Sequence, residues 1–271
     1  MQFANGVGKP CFRQCLPQDR SMAQPTLSPR VAAGPSTSIE GRIAALDWNR
    51  IQSDLGDRGY ATTGRLLTAA ECSRLVADYE SEARFRSRVV MAQHGFGRGE
   101  YKYFRYPLPE IITHLRPALY EHLAPIANRW EKLLGGSDRY PSSHSDFLDR
   151  CRDAGQSRPT PLLLRYEKDD YNCLHQDVYG EVFFPLQVTF LLSTAGRDFT
   201  GGEFLLAEQR PRMQSRAEVV PFVRGEGVVF AGRHRPAQGT RGAYRVTLRH
   251  GVSRVRSGRR FTLGVIFHDA T

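Results

Sequence analysis

Apolar and polar positions change their rhythm near residue 160. Before it, apolar side chains recur at helical spacing. Trp48, Ile51 and Leu55 share a face behind a capping Asp47, with Gly56 as the expected stop. Thr68-Ala69-Ala70-Glu71 has the form of a capping box, followed by Cys72, Leu75, Val76 and Tyr79 on one stripe. Ile112, Leu115, Leu119, Ile126, Trp130 and Leu134 mark a long helical stretch over 109–134, which Pro117 and Pro125 are expected to break or kink. One more short helix is predicted over 145–154, and a short strand at 59–63. The arginine- and aromatic-rich stretch 84–106 reads as a loop packed on the core.

After residue 160 the pattern becomes short apolar runs separated by turn residues: 162–166, 182–192, 203–207, 227–231, 244–249 and 261–268. That is the pattern of an all-β sandwich or barrel. Residues 1–42 show no periodicity and are rich in Pro, Ser, Gly and Gln, so they read as a disordered tail. Order is expected from about Leu46. Ile39-Glu40-Gly41-Arg42 resembles a protease-cleavage scar, and Met22 is an alternative start. The expected organisation is a tail (1–42), a helical support region (43–160) and a β core (161–271), forming one catalytic unit of α+β class.

Composition narrows the partners. The net charge is +10, mostly from arginine, which favours an anionic partner such as DNA or RNA; a generally basic proteome explains it equally well. No apolar run reaches 18 residues, so no membrane span is expected. The absence of an apolar leader core argues against secretion. Five scattered cysteines, Cys11 and Cys15 among them, argue for free thiols in a reducing compartment, and a cytoplasmic location is expected. Cys11 and Cys15 lack the second pair that a zinc site needs. Nothing in the chain specifies an oligomeric state.

The candidate chemistry sits at His175-Gln176-Asp177. Positions i and i+2 of a strand project to one side, so one strand end can deliver an imidazole and a carboxylate to a metal. A non-haem iron oxygenase uses two imidazoles and one carboxylate and leaves positions open. His-x-Asp alone is unspecific: eight histidines and fourteen aspartates in 271 positions give about 0.4 matches by chance. His144-Ser145-Asp146 is such a second match. It precedes a polar helical stretch, and we expect it on the surface. His175 and Asp177 follow one β-like run and precede the longest one. Candidates for the third ligand are His250 and, at lower weight, His234. His268 ends the last run and is expected to be structural or to support the site, while His94, His114 and His122 have no evident partners.

Tyr166 stands nine positions before His175. His250 is followed ten positions later by Arg260 and then by Thr262. Gly201-Gly202-Glu203 opens one strand, and Gly225-Glu226-Gly227 another. With these phrases the chain resembles the 2-oxoglutarate/Fe(II)-dependent oxygenases, in particular their prolyl-hydroxylase-like branch. More narrowly, residues from about 46 to 270 resemble a bacterial group predicted to act oxidatively on damaged DNA in the manner of AlkB-like repair enzymes. Gln209-Arg210-Pro211-Arg212-Met213-Gln214-Ser215-Arg216 and Phe267-His268-Asp269-Ala270 are typical of that group.

The resemblance implies a double-stranded β-helix (jelly-roll, cupin-like) core buttressed by the N-terminal helices. It implies Fe(II) on His175, Asp177 and His250, and 2-oxoglutarate on Arg260, Thr262 and Tyr166. Dioxygen is then the co-reactant and ascorbate a candidate reductant. The implied reaction is hydroxylation or oxidative demethylation with release of succinate and CO2. Cys173-Leu174 departs from the Lys-Pro often seen before the first ligand, which puts the substrate in doubt. Damaged nucleic acid, a protein side chain such as prolyl, and a small metabolite are the substrate classes in that order. A non-catalytic nucleic-acid-binding protein is the alternative from another class. Arg210, Arg212, Arg216, Arg233, Arg235 and Arg241 are expected on loops around the barrel mouth, where they favour an anionic substrate. Arg259 is expected to point outward.

Overall fold

The computed structural model describes residues 38–177, 180–240 and 242–271. Most of the expected tail, with Cys11, Cys15 and Met22, lies outside the described residues, as does Arg241. The described chain opens with helix α1 (Ile39–Ala44), capped by Ser38. It occupies the end of the expected tail and the apparent cleavage scar. The reason is that Ile39 and Ile43, one turn apart, are buried in the main core. Helix α2 (Trp48–Arg58) starts at Asp47 as expected but runs through Gly56 to Gly59, which ends it at φ 80°. Helix α3 (Ala69–Asp78) begins at a complete Thr68/Glu71 capping box. Helix α4 (Glu110–Leu133) continues through Pro117 and Pro125 without interruption, held by a buried stripe of Leu115, Leu119, Leu123, Ile126 and Trp130. Helix α5 (His144–Asp153) completes the set. Among the described residues, no helix is long and apolar enough to cross a membrane.

The strands among the described residues are, in chain order, β1 (Tyr60–Arg65), β2 (Phe85–Val90), β3 (Gly97–Arg98), β4 (Glu100–Phe104), β5 (Leu162–Tyr166), β6 (Tyr171–His175), β7 (Leu186–Leu191), β8 (Phe199–Gly201), β9 (Phe204–Gln209), β10 (Arg216–Val220), β11 (Glu226–Ala231), β12 (His234–Gly239), β13 (Gly242–Val252), β14 (Val255–Gly258) and β15 (Arg260–Val265). A seven-stranded sheet has the order β1-β11-β7-β15-β5-β4-β2. A six-stranded sheet runs β10-β9-β13-β6-β3, with β12 also on β13, and β14 pairs with β8. Along the chain the core strands alternate between the two large sheets: β5, β7, β11 and β15 in the first, β6, β9 and β13 in the second. This alternation, with antiparallel pairing throughout the two sheets, is a jelly roll.

The seven-stranded sheet has two buried faces. Its outer face carries Leu163, Val188, Phe190, Val229, Leu263 and Val265, packed with residues of α1, α2 and α4 in one core. Its inner face meets the second sheet, where Tyr60, Val228 and Phe230 pack on Phe204, Leu206 and Val220. The support region is therefore not only helical. It contributes β1 to one edge of the large sheet, and β4 and β2 to the other. Arginines disguise these strands: Arg86 and Arg88 lie on β2 with their guanidiniums turned to the Pro159 carbonyl and the Glu100 carboxylate.

Candidate metal centre

Between the sheets lies a cavity of about 460 Å³, lined by Tyr101 and Tyr166, by His175, Asp177 and His250, and by Arg260. The three candidate ligands meet because β6 and β13 are hydrogen-bonded neighbours. His250 stands directly opposite His175 in the antiparallel register, with ring centroids 4.2 Å apart. Asp177 lies just past the end of β6. One ligand atom from each residue lies within 4.8 Å of the others. His175 Nε2 is 3.4 Å from Asp177 Oδ1, and His250 Nε2 is 3.2 Å from Oδ2.

Hydrogen bonds orient this set. His175 Nδ1 lies 2.8 Å from the Cys173 carbonyl, which can only accept, so Nδ1 carries a proton and Nε2 is the nitrogen that faces the site. His250 is buried, and its Nδ1 has no hydrogen-bond partner. Gln187 donates from Nε2 to Asp177 Oδ2 at 3.1 Å. Gln176, between the two ligands, donates to the Arg233 and Leu248 carbonyls at 3.0 and 2.8 Å, tying its loop to β13.

Burial works to raise the Asp177 carboxyl, but the two imidazoles outweigh it and hold it well below the usual aspartate range. Burial lowers His250, and Asp177 only partly offsets that. For the less buried His175, Asp177 overcomes burial and the net shift is upward. The site is thus an anionic carboxylate between two imidazoles with converging donors. Two nitrogens and one oxygen on one side of a point suit a divalent first-row metal with open positions, iron among them.

Arg260 and Tyr166 face one another across β15 and β5. Arg260 is 1 % exposed, and its Nε has no hydrogen-bond partner. Its guanidinium lies over the Tyr166 and Phe199 rings at 5.5 and 5.9 Å, with Nη1 3.5 Å from Thr262 Oγ1. Burial brings its pKa down to about 10. Asn172 Nδ2 lies 3.4 Å from the Tyr166 oxygen, leaving the phenol hydrogen for another acceptor. Burial pushes Tyr166 up to about 12, so it is a donor at neutral pH. Close approach shapes this end of the cavity: Gly202 has φ 63°, and a Cβ there would stand 2.9 Å from Arg260 Cδ.

The other histidines separate from this group. His144 is buried rather than on the surface, with Nε2 2.8 Å from the Phe267 carbonyl, because Ser143 caps α5 and the first turn faces the core. His234 lies at the start of β12 against Arg245 and Glu131, away from the cavity. His268 is buried and accepts from the Phe184 amide at 3.2 Å. His122 stacks on Trp48, His94 on Phe96, and His114 pairs with Glu40. Arg259 points outward to Glu167 at 3.3 Å. The arginines expected at the mouth divide. Arg235 is buried on Glu208, and Arg210 meets the same carboxylate at 2.6 Å, whereas Arg212, Arg216 and Arg233 are exposed. Gln187 was missed from sequence, although Gln187 and Thr189 alternate with Leu186, Val188 and Phe190, the period-2 signal of a polar inner face.

Comparison with known proteins agrees at the level of family. Residues 99–270 match a family model described as an oxygenase catalysing oxidative methylation of damaged DNA. Two uncharacterised proteins of Mycobacterium tuberculosis, from strains CDC 1551 / Oshkosh and ATCC 25618 / H37Rv, are each 44 % identical over 218 residues, covering 79 % of this chain and 93 % of theirs. Among solved structures, a Pseudomonas putida prolyl-4-hydroxylase is similar at TM-score 0.49 and 14 % identity, over 80 % of this chain and 96 % of that one. A Burkholderia pseudomallei oxidoreductase of the 2OG-Fe(II) oxygenase family is similar at TM-score 0.49 and 18 % identity, over 83 % and 92 %. With the family model spanning most of the jelly roll and all of the cavity's candidate ligands, the chain belongs to this oxygenase family and is an oxidoreductase.

Proposed function

We propose that the protein is an Fe(II)- and 2-oxoglutarate-dependent oxygenase acting on damaged DNA. The observation that carries this reading is a fully buried arginine, its Nε unpartnered, in the same cavity as a two-histidine, one-carboxylate cluster. A buried cation without a carboxylate partner is costly unless a ligand supplies the anion. In this reading His175, Asp177 and His250 hold the metal. Arg260 takes the far carboxylate of 2-oxoglutarate through its planar fork, while Thr262 steadies the guanidinium and Tyr166 donates its phenol.

Bound iron with 2-oxoglutarate and dioxygen supplies the oxidising power, yielding succinate, CO2 and one hydroxyl on the substrate. The chain's own part is placement and exclusion of water: the phenyl rings of Phe204 and Phe230 wall the cavity beside His250. On a methylated base, hydroxylation leaves a hydroxymethyl group that departs as formaldehyde, so oxidation removes the methyl. The family's description and the exposed arginines favour DNA over a peptide. Free Cys72, Cys151 and Cys173 suit the reducing cytoplasm.

The test is succinate release with Fe(II), 2-oxoglutarate and ascorbate across alkylated oligonucleotides, peptides and metabolites. Turnover is expected with alkylated DNA and is abolished in His250→Ala but not in His234→Ala. Binding to DNA should weaken steeply with salt, as phosphate contacts require. Succinate release that survives in His250→Ala overturns the metal assignment; stimulation by peptides alone overturns the substrate.

A further inference from the structure

We propose that Gln187 is a positioning residue for the metal centre. Its amide fixes the Asp177 carboxylate in the orientation in which its two oxygens face the two imidazoles. The inference rests on the function proposed above.

Three observations carry it. Gln187 is buried on the inner face of β7, 7 % exposed, and only the N–H end of its amide can face a carboxylate. That amide donates to Oδ2 at 3.1 Å, while Oδ1 faces His175 at 3.4 Å. His250 Nε2 lies 3.2 Å from the same Oδ2. The donor therefore sets the rotation of the carboxylate between the two imidazoles, while each oxygen keeps a lone pair toward the site.

The surroundings hold Gln187 in this pose. Gly232 follows β11, and its amide donates to the Pro185 carbonyl at 3.0 Å. A Cβ at Gly232 would stand 2.8 Å from Gln187 Nε2, so any larger residue pushes the amide off the carboxylate. On the other side of Asp177, Gln176 anchors the main chain to β13, two residues before His250. One glutamine places the backbone of the aspartate and the other its carboxylate. Outer partners of metal ligands typically change metal affinity by about 10- to 100-fold.

The test uses the full chain, with Mn(II) as a redox-silent probe followed by 2-oxoglutarate titrated into the Mn(II)-saturated protein. In Gln187→Leu the dissociation constant for Mn(II) should rise about 10-fold or more, and that for 2-oxoglutarate should rise as well. The melting temperature of the metal-free protein should stay close to that of the parent. Gly232→Ala leaves Gln187 in the chain and should shift both constants in the same direction; it decides the question if Gln187→Leu does not fold. Both constants within twofold of the parent in the folded variants overturn the inference. A loss of metal affinity with unchanged 2-oxoglutarate affinity overturns the orienting role. A parent protein that takes up neither Mn(II) nor 2-oxoglutarate overturns the proposed function itself, which separates the two failures.

Discussion

Arg260 keeps its charge where little else supports it. Aromatic faces and a threonine hydroxyl surround it, and burial brings its pKa only to about 10, so it stays cationic at neutral pH. Lysine at this position keeps a charge but loses the planar fork and two aromatic stacks. Arg260→Lys should weaken 2-oxoglutarate binding by about 10- to 100-fold, the value of a charge-assisted hydrogen bond or two, and leave Mn(II) affinity nearly intact. Calorimetric titration of each ligand checks this, and an equal loss of both counts against the assigned role. His144 makes the contrast. It sits in a His-x-Asp match, yet its ring is spent on the Phe267 carbonyl. His144→Ala should leave succinate release per folded molecule unchanged. It should lower stability by roughly 2–4 kcal/mol through a cavity and an unpaired carbonyl, read from the urea midpoint.

Elements bring these residues together through turns that tolerate few side chains. The turn from β8 to β9 passes so near Arg260 that a methyl group on Gly202 meets its Cδ, and φ there is 63°. Gly202→Ala should therefore raise the 2-oxoglutarate dissociation constant and reduce stability together, because it both strains the turn and displaces the guanidinium. An unchanged cosubstrate affinity would show that Arg260 accommodates the methyl group. The same elements show what could be read in advance. The core strands were legible where apolar runs met turn residues, as at Leu162–Tyr166 and Glu226–Ala231. His175, Asp177 and His250 were legible through spacing and resemblance. Strands β2 to β4 were not, because Arg86, Arg88, Gly97 and Gly99 interrupt the alternation, and β3 and β4 are tied into the sheets by β6 and β5, which lie beyond residue 160. The burial of Arg235 was equally hidden, since Glu208, its partner, stands 27 residues earlier on a different strand. Periodicity reports which face a residue takes, not which distant group neutralises it.

Across the whole molecule, burial leaves several histidines neutral. It lowers His144 to about 3 and His234 and His268 to about 4, with the Arg116 charge adding to the effect at His144 and His268. In the unfolded chain each takes up a proton near pH 6.5. Between that value and about 4 the unfolded state binds more protons than the folded one, so stability falls as pH falls. Below this window the lowered carboxyls Glu100 and Glu208 add to the loss as they protonate. The melting temperature is expected to decline steadily from pH 7 to pH 5, and His144→Phe should flatten the decline. A melting temperature that is constant over that range would mean these rings are not held neutral.

His175 and His250 stand opposite one another on strands 75 positions apart in the chain. A slip of one residue in that pairing turns one imidazole to the other face of its sheet and removes the site. No fragment short of the closed β6–β13 ladder contains the three donors in one place. On the proposed assignment, a nascent chain offers an ion only the local pair His175 and Asp177; the full donor set forms with the ladder, and the ion would then stabilise the finished sheet by mass action. Loading with metal would thereby discriminate correctly registered molecules from misregistered ones that have the same secondary structure content.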